Sequence, residues 1–206
     1  MSPQECAPFA WSVGPRSFSG STVAQSWRVA DERKRKPRPP LDGEALERLA
    51  LFYAGRYATT RARLKSYLGR KLRERGWAAE GEPPIERLVE RLAGLGYVDD
   101  KGFAASRAAS LGRRGYGERR VREALAAAGI GEEDGAEARA QARDGAWGAA
   151  LRFAERRRIG PFAAAEPDRA GREKAMAAML RAGHTLEIAG RLVRAPPGTI
   201  PEPDDP

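Results

Sequence analysis

The chain of 206 residues offers few side chains suited to covalent chemistry. Asp99-Asp100 and Glu132-Glu133-Asp134 are the adjacent carboxylates of its central region. Each group stands just before a predicted helix, where an acidic side chain accepts hydrogen bonds from free backbone N–H groups and complements the helix dipole. Both are therefore read as caps rather than as acid–base machinery. Cys6 is the only cysteine and His184 the only histidine, so neither a disulfide framework nor a Cys/His zinc site can be assembled. His184 falls at a helix stop and is read as a packing residue. No Walker-type phosphate loop is present, and Gly94-Leu95-Gly96 follows a helix rather than a strand, which removes the dinucleotide-binding reading. The expectation is a protein that is not an enzyme and needs neither cofactor nor metal.

Charge is the more informative property. Lys and Arg number 37 against 28 Asp and Glu, a net charge of +9 that favours a polyanionic partner such as nucleic acid. The basic residues of the helical region gather in three groups. Arg56, Arg61, Arg63, Lys65, Arg70, Lys71 and Arg73 form the first; Arg113, Arg114, Arg119, Arg120 and Arg122 the second; Arg152, Arg156, Arg157 and Arg158 the third. Each group lies near the junction of two predicted helices, and Tyr57 and Tyr116 sit at two of those junctions, where they are read as core anchors of the turn. Stacked in similar orientation, the junctions would line one side as a basic stripe.

The positioning elements are helices. Leu46, Leu49, Ala50 and Tyr53 recur at i, i+3, i+4 and i+7 behind a cap at Asp42, and this helix ends near Tyr57. Thr59 or Thr60 caps the next, whose stripe is Leu64, Leu68 and Leu72, with Arg63, Arg70 and Arg73 on the opposite face and Gly76 as its stop. A third starts at Glu82-Pro83-Pro84 and ends at Gly94 or Gly96. Lys101 to Arg114, Glu118 to Ala128 and the Ala-rich Glu132 to Arg143 follow; the last has no large apolar residue and is the weakest element. Trp147, Ala150, Leu151 and Ala154 mark a seventh helix ending around Gly160 and Pro161. Arg169 to Ala182 is the eighth, and Thr185 to Arg194 the ninth, with Leu186, Ile188, Ala189 and Leu192 inward. A signature repeats through the chain: Leu68-x3-Leu72-x3-Gly76-Trp77, Val121-x3-Leu125-x3-Gly129-Ile130, Ala175-x3-Met179-x3-Gly183-His184. Successive copies start 53 and 54 residues apart, which marks an internal repeat.

The fold expected is all-α, three tandem three-helix repeats of about 44–97, 98–143 and 144–195 within a domain of residues 41–195. With 7% aromatic and 32% charged residues the core is thin and spread over short elements, so the domain is expected to be elongated. Residues 1–40 carry isolated aromatics and end in a basic run, Arg33 to Arg38, with no helical or strand period; they are expected to be a disordered basic arm. Residues 196–206 are expected to be a disordered tail. No apolar run approaches the roughly 18–20 residues of a membrane span, and a cytoplasmic monomer with no membrane contact is the expectation.

The stretch GYVDDKGFAASRAASLGRRGYGERRVREALAAAGI closely resembles the second repeat of the RecX family, bacterial regulators of the RecA recombinase, through Asp99, Asp100, Phe103, Ala104, Gly115, Tyr116, Gly117, Arg119, Arg120, Leu125, Gly129 and Ile130. The resemblance covers about residues 44–195. It implies a curved helical repeat protein that lies along the groove of the RecA–DNA filament and lowers its ATPase, strand-exchange and coprotease activities in DNA repair and the SOS response. The partners implied are the RecA filament and the single-stranded or duplex DNA within or beside it. The contacts carried over are the matching turn Gly115 to Arg122, with Tyr116, Arg119, Arg120 and Arg122 in it; Arg113, Arg114, Arg63, Arg70, Arg73, Arg156 and Arg157 are weaker candidates. The alternative from the residues alone is a general nucleic-acid-binding helical module without a recombinase partner.

Overall fold

The computed structural model describes residues 38–203, so the expectations for residues 1–37 and for the last three residues lie outside the described residues. Among the described residues the chain forms nine α-helices: α1 Gly43–Arg56, α2 Arg61–Arg75, α3 Ile85–Gly94, α4 Asp100–Arg113, α5 Glu118–Ala126, α6 Glu132–Asp144, α7 Ala146–Arg157, α8 Arg169–Arg181 and α9 Leu186–Arg194. A 3-10 turn, Gly160–Phe162, follows α7, and one bridge pairs Leu41 with Trp77. No described helix is long and apolar enough to cross a membrane. Residues 196–203 carry no helix or strand; Gly198 donates its N–H to the Pro161 carbonyl at 2.8 Å.

Local chemistry starts and stops these helices. Asp42, Thr60, Asp99, Asp168 and Thr185 each accept a hydrogen bond from the backbone N–H three residues on, at 2.7–3.2 Å. Such caps contribute about 1 kcal/mol each. The repeat glycines Gly76, Gly129 and Gly183 all take positive φ, which turns the chain out of α2, α5 and α8. The seventh helix ends earlier than expected, because Arg158 itself adopts φ 53° and turns the chain before Gly160.

Three helices at a time enclose a core. Leu46, Leu64, Leu68 and Leu92 fill the first, Ala104, Leu111, Val121 and Leu125 the second, and Phe153, Met179 and Leu192 the third. The Ala-rich α6 lies close along α4 by burying Gly135 and Ala138, so small residues bring two backbones together where large ones were missing. Leu186 corrects the expectation for α9: it is 68% exposed, and Ala189, Gly190, Leu192 and Val193 form the buried face. As the first helical residue it overhangs the end of the core.

The repeats are joined end to end through their second helices. At the N-terminus of α5, Gly117 and Arg119 donate backbone N–H groups to the carbonyls of Ala182 and Gly183 at the C-terminus of α8, at 3.0 and 3.3 Å. At the N-terminus of α2, the Thr60 hydroxyl donates to the Ala128 carbonyl beyond α5 at 2.6 Å. Groups that a helix end leaves unpaired are thus satisfied by the opposite end of the next helix. The approach needs glycine: a Cβ on Gly117 would overlap the Gly183 carbonyl, and one on Gly183 would stand 2.6 Å from the Arg120 backbone nitrogen. Asp100 corrects the reading of the acidic pair. Asp99 is a cap, but Asp100 is buried at the first junction, where its Oδ1 accepts the Arg61 N–H at 2.9 Å and its Oδ2 faces the Arg61 guanidinium at 3.4 Å. Asp134 and Glu90 meet the same guanidinium at 3.4 and 3.3 Å.

Gly117→Ala is expected to lower stability in urea unfolding by about 3 kcal/mol, since backbone rather than a flexible side chain must move. Gly69→Ala, in the middle of α2 with only the Arg73 guanidinium at 3.6 Å, is expected to be neutral or to stabilise by up to about 1 kcal/mol.

Candidate functional site

The basic residues divide once their neighbours are known. Arg61, Lys65 and Arg152 serve the scaffold: Arg61 joins repeats, Lys65 pairs with Glu86 and Glu90 on α3, and Arg152 donates to the Gly112 carbonyl at the end of α4 at 3.1 Å. Arg119 and Arg120, matched to the family turn, both pair with Glu123, at 3.1 and 3.3 Å. Arg119 also donates to the Leu180 carbonyl at 2.6 Å, so part of this basic helix start is spent on holding α8. Arg122 is exposed on the far side of that joint and makes no ion pair among the described residues. Arg70 pairs with Glu74 at 3.7 Å, Arg73 is exposed, and Arg63 lies over Phe103 at 5.0 Å in a separate groove. Arg113 faces another depression, beside Arg152.

What the fold does bring together is Arg114, Tyr116, Arg156 and Arg157. They line a groove of about 700 Å³ at the joint of the second and third repeats, with Phe153, Lys174, Ala178 and Arg181. None of the five cations forms an ion pair among the described residues, and no carboxylate lines the groove. Arg114 lies 5.3 Å from the centre of the Tyr116 ring, and Arg156 and Arg157 lie 5.6 and 5.8 Å from that of Phe153. These rings hold the guanidinium groups without neutralising them. Tyr116 packs against the second and third cores at once and so is the anchor expected; Tyr57, expected to be its counterpart, is instead 50% exposed. Lys174 and Arg181 were not among the sequence candidates. Their spacing of seven puts them on one face of α8 with Ala178 between, a signal legible in the sequence once α7 is known to lie across that face. Concentrated, unneutralised positive charge in a concave surface attracts phosphate groups or a carboxylate-rich face.

No family model matches the chain. Among individual proteins, it is 30% identical over 176 residues to Regulatory protein RecX of Myxococcus xanthus, an alignment covering 81% of this chain and 94% of that one. The chain belongs to the RecX family. Regulatory protein RecX of Deinococcus radiodurans is 34% identical over 148 residues, covering 68% of this chain and 69% of its own. The crystal structure of RecX from Lactobacillus salivarius matches with a TM-score of 0.59 over 73% of this chain and 94% of that one; at 19% identity this shows a shared fold. The residues that carried the RecX resemblance in the sequence are mostly joint-makers here: Asp99 caps α4, Asp100 ties repeat one to repeat two, and Gly117 and Gly129 admit close neighbours.

His184 belongs to the same joint. It is buried beside Phe153, with ring centres 5.6 Å apart, and its Nε2–H donates to the Gly115 carbonyl at 3.1 Å. Burial holds its pKa below the usual 6.5, a shift only partly opposed by that bond. Well above pH 6.5 the ring is neutral whether folded or not; as pH falls through that value the unfolded chain takes up a proton the folded one resists, so stability is lost. Since this is the only histidine, His184→Gln should flatten the decline in urea midpoint between about pH 7.5 and about pH 5.5. An unchanged slope would mean the ring is not held neutral.

Proposed function

We propose that this chain is a non-enzymatic regulator of the RecA recombinase, binding along the groove of the RecA–DNA filament and suppressing ATPase, strand-exchange and coprotease activity in DNA repair and the SOS response. It acts by occupancy, as a cytoplasmic monomer. Membership of a family whose curated relatives are named regulatory proteins supports the regulatory half of this reading. The observation that carries the rest is the groove lined by Arg114, Arg156, Arg157, Lys174 and Arg181, five cations without acidic partners among the described residues, suited to a filament that presents phosphates and acidic side chains. The carboxylates that could have done chemistry have structural work instead: Asp99 caps a helix and Asp100 holds a joint. The repeat boundaries near residues 98 and 144 are part of the proposal, each unit being one core and each boundary carrying one joint.

The same groove would also suit a general nucleic-acid-binding module without a recombinase partner, and one experiment separates the two. In RecA-catalysed, single-strand-dependent ATP hydrolysis, substoichiometric protein should inhibit. The double variant Arg156→Glu/Arg157→Glu should need about tenfold more protein for half-inhibition. Tight, salt-dependent DNA binding with no effect on RecA at any ratio would leave only the general module.

A further inference from the structure

Among the described residues the exposed large aromatic side chains are Phe52, Tyr57 and Tyr97, at 61, 50 and 53%, and all lie in or just after the first three helices. They are not scattered. Phe52 and Tyr57 line a depression of about 550 Å³ against α1 and α2, and Tyr57 and Tyr97 line another of about 540 Å³ towards α4. Sharing Tyr57, the two make one track. Tyr53 and Tyr67 form its floor in the first part, stacked with ring centres 4.2 Å apart and planes 16° from parallel. Phe103 lies in the second part under the Arg63 guanidinium.

Cations flank the whole track. Arg38, Arg70, Lys71 and Arg75 border the first part, and Arg63 and Arg107 the second. Glu74 meets both Arg70 and Lys71, and Asp99, the carboxylate lining the second part, already accepts the Gly102 N–H. The balance is positive. Exposed rings bordered by surplus cations suit a chain carrying both flat π-faces and phosphates. Unpaired bases offer such faces, whereas a duplex buries them in its stack. A protein partner of matching charge would meet the cations but could stack only where its own aromatic or guanidinium groups happen to fall, whereas every unpaired base offers such a face.

We infer that this track binds single-stranded nucleic acid, with bases stacking on Phe52, Tyr57 and Tyr97 and phosphates meeting Arg38, Arg63 and Arg107. The site is separate from the groove at the second joint, which has cations but no exposed aromatic ring and takes phosphate without regard to strandedness. The inference deepens the proposed function, resting on its placement of the protein beside DNA, but its own readout is DNA binding without recombinase; RecA inhibition enters only to tell its failure from that of the proposed function.

The full chain is titrated, by fluorescence anisotropy, into labelled oligothymidylate of about 15 nucleotides, an abasic oligomer of equal length and charge, and a duplex of equal length. Oligothymidylate is expected to bind about tenfold or more tightly than the abasic strand. Phe52→Leu/Tyr57→Leu/Tyr97→Leu should reduce it to the abasic level with the salt dependence unchanged, while Tyr57→Phe/Tyr97→Phe keeps the wild-type preference. Equal affinity of the wild-type chain for thymidylate and abasic strands overturns the inference, as does full thymidylate binding by the leucine variant or an equal loss of its duplex affinity. If the leucine variant loses RecA inhibition while the wild type shows no preference for bases, the track faces protein, and the inference fails although the proposed function stands. A base preference without RecA inhibition leaves the track and removes the proposed function.

Discussion

The contact on which the arrangement depends is the docking of one second helix onto the end of the next. The free carbonyls at the end of α8 meet the free N–H groups at the start of α5, and the end of α5 meets the start of α2. Each docking satisfies backbone groups that would otherwise need water, and it sets helix dipoles head to tail. It also demands that the backbones almost touch. Gly117 and Gly183 make that possible at one joint, and Gly129 at the other, where Ala62 approaches it. The three cores are small, so these polar junctions, rather than one continuous apolar interior, fix how neighbouring repeats are oriented.

The junctions sort the arginines. An arginine near a helix end finds carbonyls and carboxylates at hand, and Arg61, Arg119 and Arg152 are drawn into that role. Those on the opposite shoulder of the second joint, Arg114, Arg156 and Arg157, meet aromatic rings and, among the described residues, no carboxylate. Aromatic faces hold a guanidinium in place while leaving its charge and donors available. The two joints differ in kind: the first carries the buried Asp100 paired with the partly exposed Arg61 and exposed rings nearby, whereas the second has a buried histidine and surplus charge.

Most helix positions were legible because their signals are local. Asp42, Thr60, Asp99, Asp168 and Thr185 cap where short polar side chains should, and Gly76, Gly129 and Gly183 stop where the repeat signature says. Errors came where a neighbour decided the outcome. Asp100 looks like a second cap until α2 arrives beside it, Leu186 fits the apolar period but overhangs the core, and Arg158 takes a left-handed turn that composition does not announce.

The candidate site was legible only in part for the same reason. Charge content, the repeat and the motif around Tyr116 were enough to name Arg114, Arg156 and Arg157, because helix-end clusters are visible along one dimension. Whether an arginine is neutralised depends on groups far away in sequence: Arg119 is tied to Leu180, and Arg61 to Asp134. Lys174 and Arg181 join the groove only because α8 packs across from α7. By itself, then, the sequence determined the helices, their triple repetition and the family to which they belong, all consequences of caps, periods and glycine stops acting within a few residues. Tertiary structure alone decided which cations remain unpaired and which aromatic rings stay exposed, since charge neutralisation and burial are set by whatever distant segment folds alongside.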